Sequence, residues 1–214
     1  MATTRTYRDA CAIARALDVV GARWALLVVR ELLLGPLRFS ELVRALPGAS
    51  TNMLSDRLRE LAEAGVIHRR RLPPPANTAV YELSDWGREL EPVVLALGAW
   101  GLRVPRAPHA TLSPTSVLLF LRGSADIDAA TPNMVIRLVL DERAFTVTVR
   151  DRQVHVDATE PGASDVSLTC SPTTLYDLLS GDLDISTAID DGRAAIDGDQ
   201  SRLRSLTATI PNPG

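Results

Sequence analysis

FSELVRALPGASTNMLSDRLRELAEAGVIHRRRLPPPANTAVYEL, residues 39–83, sets the reading of the whole chain. Phe39, Leu42, Val43 and Leu46 fall on one face of a first helix. Pro47-Gly48 stops it, because proline cannot continue the hydrogen-bond ladder and glycine tolerates the turn. Ser50 or Thr51 is then placed to cap a second helix by accepting from its free N–H groups. Leu54, Leu58 and Leu61, at i, i+4 and i+7, form a one-sided apolar stripe. Asn52, Ser55, Asp56 and Arg59 point the other way, into solvent. Gly65 ends this helix. Residues 66–72 and 79–83 are strand-like, joined by a loop over residues 73–78, and Arg69-Arg70-Arg71 runs into that loop.

Two short helices with a tight turn, the second opening on a small polar outward face, fit the major groove, which admits one helix. Arginines on a projecting hairpin are placed for phosphates or a minor groove. The pattern is a winged helix-turn-helix; the competing reading is a small helical core with a surface hairpin. On the DNA reading Asn52, Ser55 and Asp56 face base edges, Arg38 and Arg59 reach phosphates, and Arg69, Arg70 and Arg71 serve the wing. Ser50, Thr51, Asn77 and Thr78 complete the DNA-facing set. Asp56 would repel a phosphate, so it either reads a cytosine amino group or pairs with Arg59.

A chain of 214 residues holds one or two domains. No apolar run is long enough for a membrane span and the polar start is not a signal peptide, which predicts a cytoplasmic protein without a membrane partner. Two cysteines, Cys11 and Cys170, make no disulfide framework. Every one of the 23 basic residues is arginine. The net charge of −3 is unevenly spread: residues 1–104 hold 14 Arg against 11 acids, net +3, and residues 105–214 hold 9 Arg against 15 acids, net −6. The basic surface therefore belongs to the half with the helix-turn-helix, as a phosphate backbone requires.

Before the decisive stretch, helices are predicted over residues 9–20 and 22–34, the second apolar nearly all round and therefore buried. After it, Ser84 caps a helix over 85–101 with Trp86, Leu90, Val93, Leu97 and Trp100 in a heptad seam; Pro92 should kink or break it. The seam can pack on its own domain or pair with a second copy. A homodimer is expected, since helix-turn-helix proteins usually read two half-sites.

Over residues 9–101 the chain resembles the HxlR family of bacterial transcription regulators. The matching residues are Cys11, Gly21-x-Arg23-Trp24, Arg30-Glu31-Leu32, Gly35-Pro36, Arg38-Phe39, Glu41-Leu42, Leu46-Pro47-Gly48, Leu54, Arg57-Leu58, Leu61, Ala64-Gly65, the wing prolines, Tyr81-Glu82-Leu83 and Gly87. The resemblance implies a dimer that binds double-stranded operator DNA, with the first and last helices of the domain at its interface. It also implies a redox option, because some members sense oxidants through a cysteine at the place of Cys11. A helix start with Arg8 and Arg15 close in sequence is the setting of a reactive thiol. The alternative is a small apolar residue packed in an interface.

Residues 105–113, rich in proline, read as a linker between domains 1–104 and 114–214. Beyond it come a short apolar helix from Thr115, alternating strands at Met134-Ile136-Leu138-Leu140, Phe145-Val147-Val149, Val154-Val156 and Val166-Leu168-Cys170, then helices opening at Ser171-Pro172 and Asp199. An antiparallel sheet with one apolar face follows, and the fold class is α+β. Ser164–Thr169, Ser171-Pro172, Asp177–Gly181 and Ile196–Asp199 resemble the sterol-carrier-protein-like fold over residues 112–208. That resemblance implies an apolar tunnel and a hydrophobic small-molecule effector, lined by Leu118, Phe120, Met134, Ile136, Leu138, Val147, Leu168, Leu175 and Leu179. A filled-in, structural domain is the competing reading.

His68, His109 and His155 lack ligand spacing, and no catalytic motif is present, so neither an enzyme nor a metal or cofactor is expected. The sequence thus predicts a ligand-responsive DNA-binding regulator. The alternatives are a sequestering protein that uses the winged helix to dimerise, and a regulator sensing oxidants through Cys11.

Overall fold

The computed structural model describes residues 6–107 and 110–211. The chain forms two compact units, Met1–Val94 and Leu95–Gly214.

The first unit opens with α1 (Ala12–Val20), α2 (Ala25–Leu32), α3 (Phe39–Ala45) and α4 (Thr51–Glu63). The hairpin β1 (Ile67–Arg71) and β2 (Ala79–Leu83) follows, then α5 (Asp85–Arg88) and α6 (Glu91–Gly101), which runs across the boundary between the units. Leu54, Leu58 and Leu61 of α4 pack with Val28, Val29 and Leu32 of α2 and Leu42 of α3 in one buried cluster. Ser50 is the cap of α4: its Oγ accepts from the Met53 amide at 3.3 Å. Gly65, with φ +79, ends the helix in the left-handed conformation that suits glycine. The β1–β2 pairing is antiparallel, with His68 opposite Glu82, Arg69 opposite Tyr81 and Arg70 opposite Val80. Leu37 adds a short bridge to Tyr81, which ties the start of α3 to the wing.

Three expectations are corrected here. α2 does not begin at Ala22, because Trp24 has φ +76 and a left-handed residue cannot continue a right-handed helix. Nor is α2 buried all round: Leu27 is 37% exposed, and Glu31 is buried with its carboxylate taking a hydrogen bond from Arg30 Nε at 2.8 Å. The single helix over 85–101 is two helices. The break falls at Glu89-Leu90, so Pro92 sits in the first turn of α6, where a missing N–H loses no helical bond.

The second unit contains α7 (Pro114–Ser124), β3 (Met134–Leu140), β4 (Arg143–Arg150), β5 (Gln153–Asp157), β6 (Val166–Cys170), α8 (Pro172–Ser180), α9 (Ile185–Asp190), β7 (Ala194–Gly198) and α10 (Gln200–Thr207). Serine or aspartate caps open the helices, Ser113, Ser171 and Asp184 each accepting from the amide three residues on. The sheet order is β5-β4-β3-β6-β7. It is mixed, not antiparallel: β3 and β6 run parallel while the other pairs are antiparallel. Alternation of side chains looks the same either way, so the pattern did not separate the two. The physical reason is placement. β5 already pairs with β4, so the chain returns through residues 158–165 to the open side of β3. Asp165 anchors that return, its amide donating to Val135 O at 2.8 Å and its carboxylate accepting from the Val135 amide at 2.7 Å. Both hairpins turn on two residues with positive φ, Asp141-Glu142 and Asp151-Arg152, as tight two-residue connections require. Met134, Ile136, Leu138, Leu140, Phe145, Val147, Val149, Val166 and Leu168 bury the apolar face. The architecture is α+β: a winged helix-turn-helix followed by helices packed with a mixed sheet.

Candidate nucleic-acid interface

α4 presents the expected face. Ser50, Thr51, Asn52, Ser55, Asp56 and Arg59 are all exposed, and none of the buried α4 leucines shares that side. The Asp56 alternative resolves within the chain, because its carboxylate lies 2.9 Å from Arg59 Nη2. Arg59 also approaches Glu63 at 3.9 Å. The start of α4 is thus polar and nearly neutral, suited to base edges more than to phosphates. One exposed residue escaped the sequence reading: Met53, 41% exposed, beside Asn52. Met53 lies off the leucine stripe, and the spacing of Leu54, Leu58 and Leu61 leaves it unplaced.

The arginines divide into two classes. Arg30, Arg57, Arg59, Arg70 and Arg88 are each paired with a carboxylate. Arg38, at the start of α3, is exposed; its amide, not its side chain, is engaged, donating to Glu41 Oε2 at 2.6 Å. Arg69 stacks over the Tyr81 ring, its Cζ 6.0 Å from the centroid. Arg71 Nη1 donates to Asn77 Oδ1 at 3.1 Å, and Thr78 turns its hydroxyl to Ala76 O.

Alternation along β1 puts Arg69 and Arg71 on one face of the wing and His68 and Arg70 on the other. The second face is neutralised. Glu82 receives Arg70 Nε and His68 Nε2, both at 2.7 Å. Burial pushes the Glu82 carboxyl upward, but hydrogen bonds and charge from Arg70 and His68 outweigh it and hold the group below its ordinary range. The three arginines that look equivalent in sequence are therefore two cations that, among the described residues, no carboxylate pairs with, and one held by Glu82.

The family comparison agrees with this geometry. Residues 19–107 match the model for HxlR-like helix-turn-helix proteins. The uncharacterized HTH-type transcriptional regulator YdeP of Bacillus subtilis is 36% identical over 96 residues, 44% of this chain and 73% of that protein. The chain belongs to the HxlR-like helix-turn-helix family. An uncharacterized HTH-type transcriptional regulator of Synechocystis, sll1512, is 40% identical over 42% of this chain and 67% of its own length. Among solved structures, the redox regulator HypR in its oxidized form is 33% identical, covering 45% of this chain and all of that one, with a TM-score of 0.42. Residues 120–210 match the SCP-2 sterol transfer family.

In this HxlR-like chain Cys11 is exposed and directly precedes α1, its amide donating to Asp9 Oδ1 at 2.9 Å. Cys170 is buried, and burial with the nearby Asp141 charge pushes its thiol up to about 12, which leaves it inert. Beside Cys11 an open groove of about 460 Å³ runs between α1 and α5, lined by Ala12, Ala16, Val19, Val20, Trp86 and Leu90 among others. The seam expected to pack on the domain or a second copy is largely uncovered: Trp86, Val93, Leu97 and Trp100 are exposed, Trp100 at 66%.

The SCP-2-like unit holds a small apolar gap. Leu138, Leu168, Leu175 and Leu179 converge with Leu178, Ile185, Ile196, Leu203 and Leu206 around a gap of about 10 Å³, roughly room for one water. Of the other residues expected to line a tunnel, Leu118, Met134, Ile136 and Val147 are buried but do not border this gap. Phe120 is half-buried against Tyr176, ring centroids 4.9 Å apart. Leu178, Ile185, Ile196, Leu203 and Leu206 also border the gap; core and cavity wall share one composition, so the sequence does not single them out. Arg106, in the segment read as linker, is fastened: it stacks on Tyr176 at 5.1 Å and approaches Asp177 at 3.5 Å. His68 is engaged by Glu82, His155 lies exposed on β5, and His109 lies outside the described residues. Among the described residues no three His, Cys, Asp or Glu side chains cluster as metal ligands, and no helix is long and apolar enough to cross a membrane.

Proposed function

We propose that the chain is an HxlR-type transcriptional regulator that binds double-stranded operator DNA as a homodimer in the cytoplasm. The observation that carries this is the exposed, near-neutral start of α4, together with Arg38, Arg69 and Arg71, which among the described residues no carboxylate holds. In this reading Asn52, Ser55 and the Asp56–Arg59 pair meet base edges, and Ser50 and Thr51 sit at the groove's edge. Arg38 takes phosphates, while Arg69 and Arg71, with Asn77 and Thr78, form the wing contact. The uncovered α1, α5 and α6 side chains supply the surface for the second copy. Residues 1–104 form the DNA-binding and dimerising domain, 105–113 the connection, and 114–214 the effector domain.

The effector is a hydrophobic small molecule in the second domain, which the SCP-2 family match supports. A ligand pocket ordinarily needs about 300–1,000 Å³, so uptake requires α8, α9 and α10 to move outward from the sheet. The helices bring only aliphatic side chains and Thr207 to that gap, which favours an aliphatic ligand over a charged one. The test is titration of the full chain with its own upstream DNA and with random duplex at several salt concentrations. Tight, salt-dependent binding with a large preference for the upstream DNA is the expected outcome. Equal, weak binding to both sends the reading back to a sequestering protein.

A further inference from the structure

We propose that Arg23 is a phosphate-binding residue of the DNA interface, held in place by the Trp24 ring wedged against the Pro47-Gly48 turn. This rests on the DNA-binding reading above.

The geometry begins with Trp24. Its φ of +76 puts a bulky residue in a region that non-glycine side chains seldom occupy. Strain of that kind persists where the surroundings hold it, and it gathers at working sites. The ring then reaches the turn between α3 and α4. A Cβ added to Gly48 would lie 2.9 Å from Trp24 Cη2. Gly48 is not among the residues with positive φ. Its backbone therefore does not demand glycine; the indole does. This revises the sequence reading, in which Gly48 served the turn itself.

Arg23 completes the stack. Its guanidinium lies over the same ring, Cζ 5.3 Å from the centroid, and the residue is exposed. Among the described residues no carboxylate pairs with it, whereas five other arginines of this domain are paired. The order guanidinium, indole, Gly48 places a free cation one ring away from the turn that leads into Ser50 and the groove-facing residues of α4. An exposed cation over an aromatic ring adds little stability, so the stack does not by itself account for a strained Trp24. It does fix the direction of a flexible side chain that would otherwise lose much freedom on meeting a phosphate. Arg69 over Tyr81 repeats the device on the wing.

The experiment uses the full chain, its upstream DNA and a random duplex of equal length, across a salt series. Arg23→Ala should weaken both DNAs by the same factor and reduce the log–log salt slope by about 0.9, one phosphate's worth. Gly48→Ala should displace the indole and lower the slope although Arg23 is still present; Trp24→Phe, which keeps a ring, should retain most of it. Circular dichroism checks that each variant is folded. Arg71→Ala is the reference for a lost phosphate contact. If Arg71→Ala lowers the slope while Arg23→Ala leaves slope and affinity unchanged, Arg23 is not at the interface and the DNA reading stands. A loss on upstream DNA alone also overturns the proposal, because the contact would be to a base. If the unmodified chain binds neither duplex, the DNA reading and this proposal fall together.

Discussion

Residues 7–104 and residues 110–211 treat apolar surface in opposite ways. All eleven large hydrophobic side chains that stay exposed among the described residues lie between Tyr7 and Val104; none lies beyond. The first region also holds an open groove of about 460 Å³, and the apolar gap beneath α8, α9 and α10 in the second is about 10 Å³. Exposed apolar patches are the kind of surface at which proteins meet partners. Seven of the eleven lie in the first compact unit and four, Leu97, Trp100, Leu102 and Val104, at the start of the second. The groove lies in the helix-turn-helix region, whereas the match to the SCP-2 sterol transfer family covers residues 120–210.

The largest expected effect is at the seam. Changing Leu97 and Trp100 together to Asp should split the dimer and weaken upstream DNA binding by about 100-fold or more, since two linked half-sites bind with avidity. Sedimentation and titration would read both effects. A dimer that survives these changes would mean that the exposed seam is not the contact.

The closed core gives the next largest effect. Leu168→Ala or Leu175→Ala should cost about 2–5 kcal/mol of stability in the second region, the usual result of emptying a packed site. Leu97→Ala in a monomeric background should change stability by less than about 0.5 kcal/mol. Thermal unfolding distinguishes them. If the Leu168 and Leu175 variants unfold no earlier than the parent, the core is looser than its packing and an open tunnel becomes the better description.

On the DNA face, Asn52→Ala should cost about 1–3 kcal/mol on the operator and little on random duplex. Arg71→Ala should lower the salt slope by about 1, and Arg70→Ala by less, because Arg70 is held by Glu82. The smallest effect is in acid. The Glu82 carboxyl is held below its ordinary value, so its contribution is complete above pH of about 4.5 and is lost as pH falls through its lower folded value. Glu82→Gln should flatten the acid limb of a stability–pH curve measured from pH of about 6 down to 3.

The fold was legible in sequence wherever one local rule governed. The leucine stripe of α4, its cap at Ser50 or Thr51, the β2 strand and the Ser171 helix start follow from spacing and capping alone. What was not legible depends on residues far apart in the chain. Parallel pairing of β3 with β6 needs knowledge of where β5 has already gone. The division of Arg69, Arg70 and Arg71 into free and paired cations needs the position of Glu82 across the hairpin. The purpose of Gly48 needs Trp24, which precedes it by two helices, α2 and α3. The gap between sheet and helices draws its walls from six elements, and composition cannot say which leucines converge.

The central claim is a division of labour: the first domain binds operator, and the second makes that binding respond to a hydrophobic ligand. The most direct measurement is operator titration of residues 1–104 and of the full chain, each with and without the ligand that co-purifies with native protein. Similar operator affinity in both, with a shift of about 1–3 kcal/mol on adding ligand to the full chain only, is the predicted result. An equal ligand response in both would contradict it and place the sensor in the first domain, at the α1–α5 groove or Cys11.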